Sequence, residues 1–155
     1  MLIPSDYKDL LRILNKHKAR YLIVGAYAVI YYTEPRYTKD LDIWVDPKVE
    51  NAKRVYGALK GFGAPLKGIR VKDFTKKSIF YQIGIAPVRV DIIMGISDLE
   101  FDVAWKQRSI TTLEGIKVNI LGIKELIKSK EKVKRHLDLA DIEVLKYKLR
   151  LKRRK

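Results

Sequence analysis

Between Asp40 and Asp46 the chain reads DLDIWVD, with acids alternating against Leu41, Ile43 and Val45. A two-residue period belongs to a β-strand, whose successive side chains point to opposite faces. Leu41, Ile43 and Val45 then form a core face, and Asp40 and Asp42 project together from the other. Asp46 shares their parity but falls at the strand end, beside Pro47. Neighbouring carboxylates repel each other and lose hydration, and a divalent cation relieves both costs. The alternative is that Asp40 and Asp42 form the solvent face of an edge strand.

A third acid, Asp91, lies inside the apolar run PVRVDIIMGI. An acid in such a run is costly unless it is exposed, paired or metal-bound. If its strand lies beside the Leu41 strand, Asp40, Asp42 and Asp91 converge, and three carboxylates can hold two magnesium ions about 4 Å apart. Manganese could substitute. The alternative is a salt bridge from Asp91 to Arg89 or another cation.

Upstream, LIVGAYAVI places Gly25-Ala26 between a short apolar run, Tyr21 to Val24, and a helix that starts at once. Free N–H groups at a helix start, with small side chains, suit close approach by phosphate. An ordinary tight turn would look the same. Elsewhere, Ser5 is placed to cap a helix whose stripe is Tyr7, Leu10, Leu11 and Leu14. Pro47 opens a helix through about Leu59. Strands follow around Ser78 to Ile83 and Val88 to Ile93, then a helix from Asp98 to Gln107. A hairpin bends at Glu114-Gly115, and two helices close the chain, near Ile123 to Val133 and His136 to Leu151. This order describes an α+β (mixed α/β) domain with a β centre covered by helices. Residues 1–151 read as a single domain and 152–155 as a basic tail.

There is no cysteine and only two histidines, so any metal should be a hard cation held by carboxylates. No apolar run approaches the roughly 20 residues that span a bilayer, and the first residues lack a signal-peptide core, so residence in the cytoplasm is expected. The net charge is +15, and removing the seven cations of the final VLKYKLRLKRRK leaves +8. Such a field attracts polyanions: nucleic acid, nucleotides or an anionic surface.

The stretch YLIVGAYAVIYYTEPRYTKDLDIWVD resembles the signature of the DNA polymerase beta-like nucleotidyltransferase superfamily, and most closely that of AbiEii-type toxin nucleotidyltransferases. The matching positions are Gly25, Ala26 and Ala28, then Arg36, Thr38, Asp40 and Asp42; Ala26 stands where the family usually has Gly or Ser. The segment ELIKSKEKVKRHLDLADIEVL looks like the family's closing helical motif, with Lys130, Arg135, Asp138 and Asp141 at its positions. The resemblance implies a short mixed sheet with helices, a helical C-terminus, and attack on the α-phosphate of a nucleoside triphosphate. It implies metal binding by Asp40, Asp42 and Asp91, phosphate binding by Gly25 and Ala26, a triphosphate contact from Lys130 and orientation by Asp138. Arg36 and Thr38 precede Asp40 at even spacing and would reach the same face and bind phosphate if the strand begins early. The acceptor implied is RNA such as tRNA, and an antitoxin protein is an implied partner. A non-catalytic basic module that binds nucleic acid or nucleotides is the alternative.

Overall fold

In a computed structural model of the chain, the described residues are 4–84, 88–133 and 136–153, with the side chains of 132–133, 136–138 and 153 left out. Helix α1 (Ser5–Lys16) buries Tyr7, Leu10, Leu11 and Leu14, the stripe its spacing dictates. Its N-cap is Pro4 and no side chain caps it, so Ser5 is the first helical residue rather than the cap. Strand β1 (Tyr21–Val24) is buried throughout and passes directly into α2 (Gly25–Tyr32). Strand β2 spans Asp40–Val45. Helix α3 (Val49–Phe62) starts two residues after Pro47, because Lys48 takes the N-cap position with extended dihedrals.

A 3-10 turn at Val71–Thr75, which the sequence pattern does not signal, drives Phe74 fully into the core. Strands β3 (Phe80–Ile83) and β4 (Arg89–Ile93) follow, then a short helix α4 (Phe101–Lys106). Strands β5 (Ser109–Leu113) and β6 (Ile116–Ile120) pair as the expected hairpin. Glu114 and Gly115 both have positive φ, 49° and 83°, the backbone of a type I′ turn. Helices α5 (Ile123–Val133) and α6 (His136–Arg153) complete the chain, α6 running past the expected end at Leu151.

The six strands form one mixed sheet in the order β3-β4-β2-β1-β6-β5. β2 runs antiparallel to β1 and parallel to β4, so it is central and not an edge. That excludes the edge-strand alternative for Asp40 and Asp42. Leu41, Ile43 and Val45 of β2 and Val90 and Ile92 of β4 are buried together, while Asp40, Asp42, Arg89 and Asp91 are partly exposed at the opposite parity. Among the described residues no helix is long and apolar enough to cross a membrane.

Candidate active site

The register of the three central strands assembles the site. Asp42 lies opposite Asp91 across the β2/β4 pair, and Asp40 lies opposite Arg89. On the other side of β2, Asp42 lies opposite Val24, the last residue of β1. The strand-to-helix junction and the two acidic strands therefore meet at Asp42. Tyr7 braces the same end of the sheet. Its hydroxyl donates to the carbonyls of Arg89 at 3.0 Å and Lys39 at 3.2 Å, fixing the starts of β2 and β4 together. Burial, then Tyr27, push the Tyr7 phenol up to about 12, so it stays a donor across the physiological range.

Gly25 is required at the junction for two independent reasons. Its φ is +65°, and a Cβ there would lie 2.2 Å from Asp42 Oδ2. The Asp42 carboxylate thus sits against the backbone at the start of α2, where free N–H groups and the helix dipole favour negative charge. Gly25→Ala is expected to displace Asp42, abolish any chemistry that needs it and lower the melting temperature. A wild-type melting curve from this variant would contradict the close approach.

Burial, followed by Asp91 and Asp40, pushes the Asp42 carboxyl up to about 7, with a carboxyl–carboxyl hydrogen bond to Asp91 contributing. Gln82 donates to Asp91 Oδ1 at 3.0 Å. Arg89 Nη2 donates to Asp40 Oδ2 at 2.7 Å, and Arg89 Nε lies 3.9 Å from Asp91 Oδ1. The salt bridge weighed as an alternative for Asp91 is present in this loose form, but the close contact of Arg89 is to Asp40. As the side chains stand, no group of three or more acids or histidines among the described residues forms a ready cation cage. The donor set nevertheless fits a divalent ion. It is all oxygen, Asp42 is crowded by the negative charges of Asp91 and Asp40, and among the described residues Asp40 Oδ1 is buried with no hydrogen-bond partner.

The remaining candidate residues fall into place unevenly. Because β2 starts at Asp40, Arg36 and Thr38 lie before the strand, and the early start that would have put them on the acid face does not occur. Thr38 Oγ1 instead bonds locally to the Asp40 carbonyl at 3.3 Å. Arg36 forms a two-pronged pair with Asp141 of α6, at 2.6 and 3.2 Å. Lys130 Nζ of α5 lies 3.1 Å from the same carboxylate. Asp141, 5% exposed, therefore anchors the loop that leads into Asp40 to the two C-terminal helices. Burial alone would raise its carboxyl, but Arg36 and Lys130 outweigh that and hold it below the usual range. The Asp138 side chain and Arg135 lie outside the described residues. Asp46, the other acid of strand parity, is buried at the far end of β2. There it pairs with Arg20 at 3.0 Å and accepts from the Lys48 backbone N–H at the start of α3.

Gln82, Arg89 as a partner of Asp40, and the anchoring role of Asp141 were not singled out from sequence. The first two depend on strand register, which leaves no mark on local sequence. Asp141 stood in the closing motif, but nothing in its neighbourhood names Arg36 as its partner.

The fold is a nucleotidyltransferase fold. A proposed nucleotidyltransferase from Thermotoga maritima, TM1012, superimposes with a TM-score of 0.58 at 18% identity, covering 96% of both chains. The lincosamide antibiotic adenylyltransferase LnuA, in a lincomycin-bound crystal structure, superimposes with a TM-score of 0.59 at 14% identity, covering 94% of this chain and 97% of that one. No family model matches the sequence, and no curated protein sequence matches it.

Proposed function

We propose that this chain is a metal-dependent nucleotidyltransferase that moves a nucleoside monophosphate from a nucleoside triphosphate to an acceptor hydroxyl. The observation that carries the proposal is the convergence of Asp40, Asp42 and Asp91 on paired parallel strands, with Gly25 packed against Asp42. The likeness in fold to TM1012 and LnuA supports it. The sequence resemblance to AbiEii-type toxins supports a place among toxin nucleotidyltransferases, with an antitoxin as partner.

In this reading Asp40, Asp42 and Asp91 hold magnesium, or manganese in its place. The ions would supply Lewis-acid activation of the acceptor hydroxyl and charge neutralisation on the triphosphate and departing pyrophosphate. Asp91 takes the acceptor's proton in this reading. The backbone at Gly25 and Ala26, at the start of α2, provides donors for phosphate. In this arrangement Arg36 and Lys130 hold the loop before Asp40 through Asp141.

RNA is the acceptor that the charge supports best. Lys146, Tyr147, Lys148, Arg150 and Lys152 are all exposed along α6, on a chain of net charge +15. LnuA, an adenylyltransferase for a small antibiotic, gives the competing acceptor class. Incubation with each α-labelled triphosphate, magnesium, and either total RNA or lincomycin separates them. Label in RNA is expected, with binding to RNA falling steeply as salt rises. Label on the small molecule alone would overturn the acceptor assignment. No labelled product with any acceptor, and RNA binding unchanged in EDTA, would favour the non-catalytic basic module.

A further inference from the structure

We propose that Arg89 is a built-in counter-cation: it neutralises the acidic cluster while no divalent ion is present, and it must release Asp40 before one can bind. The inference rests on the reading of the three acids as a cation site. Its basis is the position of Arg89 directly opposite Asp40 across the β2/β4 pair, two residues before Asp91 and on the same face. The guanidinium therefore spans the two acids that flank Asp42, at 2.7 Å from Asp40 and 3.9 Å from Asp91.

The contact is that of a placeholder rather than a permanent bridge. A carboxylate and a guanidinium held together structurally frequently form two parallel hydrogen bonds, as Arg36 and Asp141 do here at 2.6 and 3.2 Å. Arg89 makes one close bond to Asp40, and among the described residues the pair leaves Asp40 Oδ1 and its own Nε buried without a hydrogen bond, Nε having only the 3.9 Å contact with Asp91. Buried polar atoms left unpaired on both sides are costly, so the resting arrangement is under-satisfied where a cation would bind. The Arg89 side chain is 34% exposed, which gives its long stem a path outward. A divalent ion at the open Oδ1 of Asp40 would place its charge beside that of Arg89, which holds Oδ2 of the same carboxylate, so the two cations repel and compete for Asp40.

Two consequences distinguish this role from a structural one. Arg89 lowers the affinity for a divalent ion in the absence of nucleotide. Once displaced, it lies at the rim of the acidic cluster as a cation available to phosphate, so nucleotide and metal should each strengthen the other's binding. The test is titration of Mn²⁺ into the metal-free protein by calorimetry, with and without a non-hydrolysable triphosphate analogue. Wild type is expected to bind Mn²⁺ weakly alone and about tenfold more tightly with the analogue. Arg89→Gln should bind Mn²⁺ about tenfold more tightly than wild type without the analogue, and gain little when it is added. Arg89→Lys, which keeps the charge but cannot span both acids, should fall between them and guards against a folding defect in the glutamine variant. Equal Mn²⁺ affinity in all three proteins would overturn the role of Arg89 while leaving the metal site intact. No Mn²⁺ binding by any of them would overturn the metal site as well.

Discussion

Asp42→Asn is expected to abolish nucleotidyl transfer and, in the metal-free protein at pH 8, to raise thermal stability. Both effects come from one placement. Asp42 is half-buried between Gly25 and Asp91, and its carboxyl is pushed up to about 7 from an ordinary 3.8. A carboxyl whose pKa is raised by folding keeps its proton in the native state after the unfolded chain has lost it. The native state then binds more protons between about pH 4 and 7, and its stability falls as pH rises through that window. The full shift corresponds to at most about 4 kcal/mol, and above pH 7 the loss is complete. Asparagine cannot ionise, so its variant should melt almost independently of pH over this range. Added Mn²⁺ should restore stability to wild type above pH 7 and do much less for the variant. Melting curves from pH 4 to 9, with and without Mn²⁺, read both effects. Parallel pH profiles for the two proteins, or transfer retained by the variant, would remove Asp42 from the site.

The largest loss of stability is expected from Asp141→Asn. Its carboxylate is almost fully buried and holds Arg36 with two bonds and Lys130 with one contact. Removing one member of a buried ionic group takes a charged partner from the others, which costs about 3 kcal/mol. For a domain of this size that is a melting temperature lower by roughly 10 °C. Transfer should also fall, because the loop ending at Asp40 loses its tie to α6. The pH dependence runs opposite to that of Asp42. The Asp141 carboxyl is lowered in the fold, so its contribution is present above the ordinary carboxylate range and is lost as pH falls through the native value. The variant should therefore lack part of the acid-induced loss of stability that wild type shows. A melting curve that matches wild type would mean that the charges of Arg36 and Lys130 are satisfied elsewhere.

These opposite signs show why the site was only partly legible in the chain. The period-two pattern of DLDIWVD identified both the strand and its exposed face, because burial on one side of a sheet forces alternation. The stripe of α1 and the Gly25 turn were readable for similar local reasons: helical spacing in one case, the need for a residue without Cβ in the other. The convergence of Asp91 with Asp40 and Asp42 could be stated only as a condition, since nothing local says which strands become neighbours. Charged residues were the least legible. Asp42, Asp46 and Asp141 have the same chemistry in the sequence. In the fold one crowds other acids, one pairs with Arg20 and one unites Arg36 with Lys130. Arg36 was expected on the acid face only if the strand began early; it begins four residues later, so parity did not reach it.

The most direct measurement is a crystal structure grown with Mn²⁺ and a non-hydrolysable nucleoside triphosphate, with the metal located by its anomalous scattering. The account predicts a peak bounded by the carboxylates of Asp40, Asp42 and Asp91, Arg89 turned away from Asp40, and phosphate at the start of the helix that begins with Gly25. Metal and triphosphate bound elsewhere, with Arg89 still on Asp40, would contradict it.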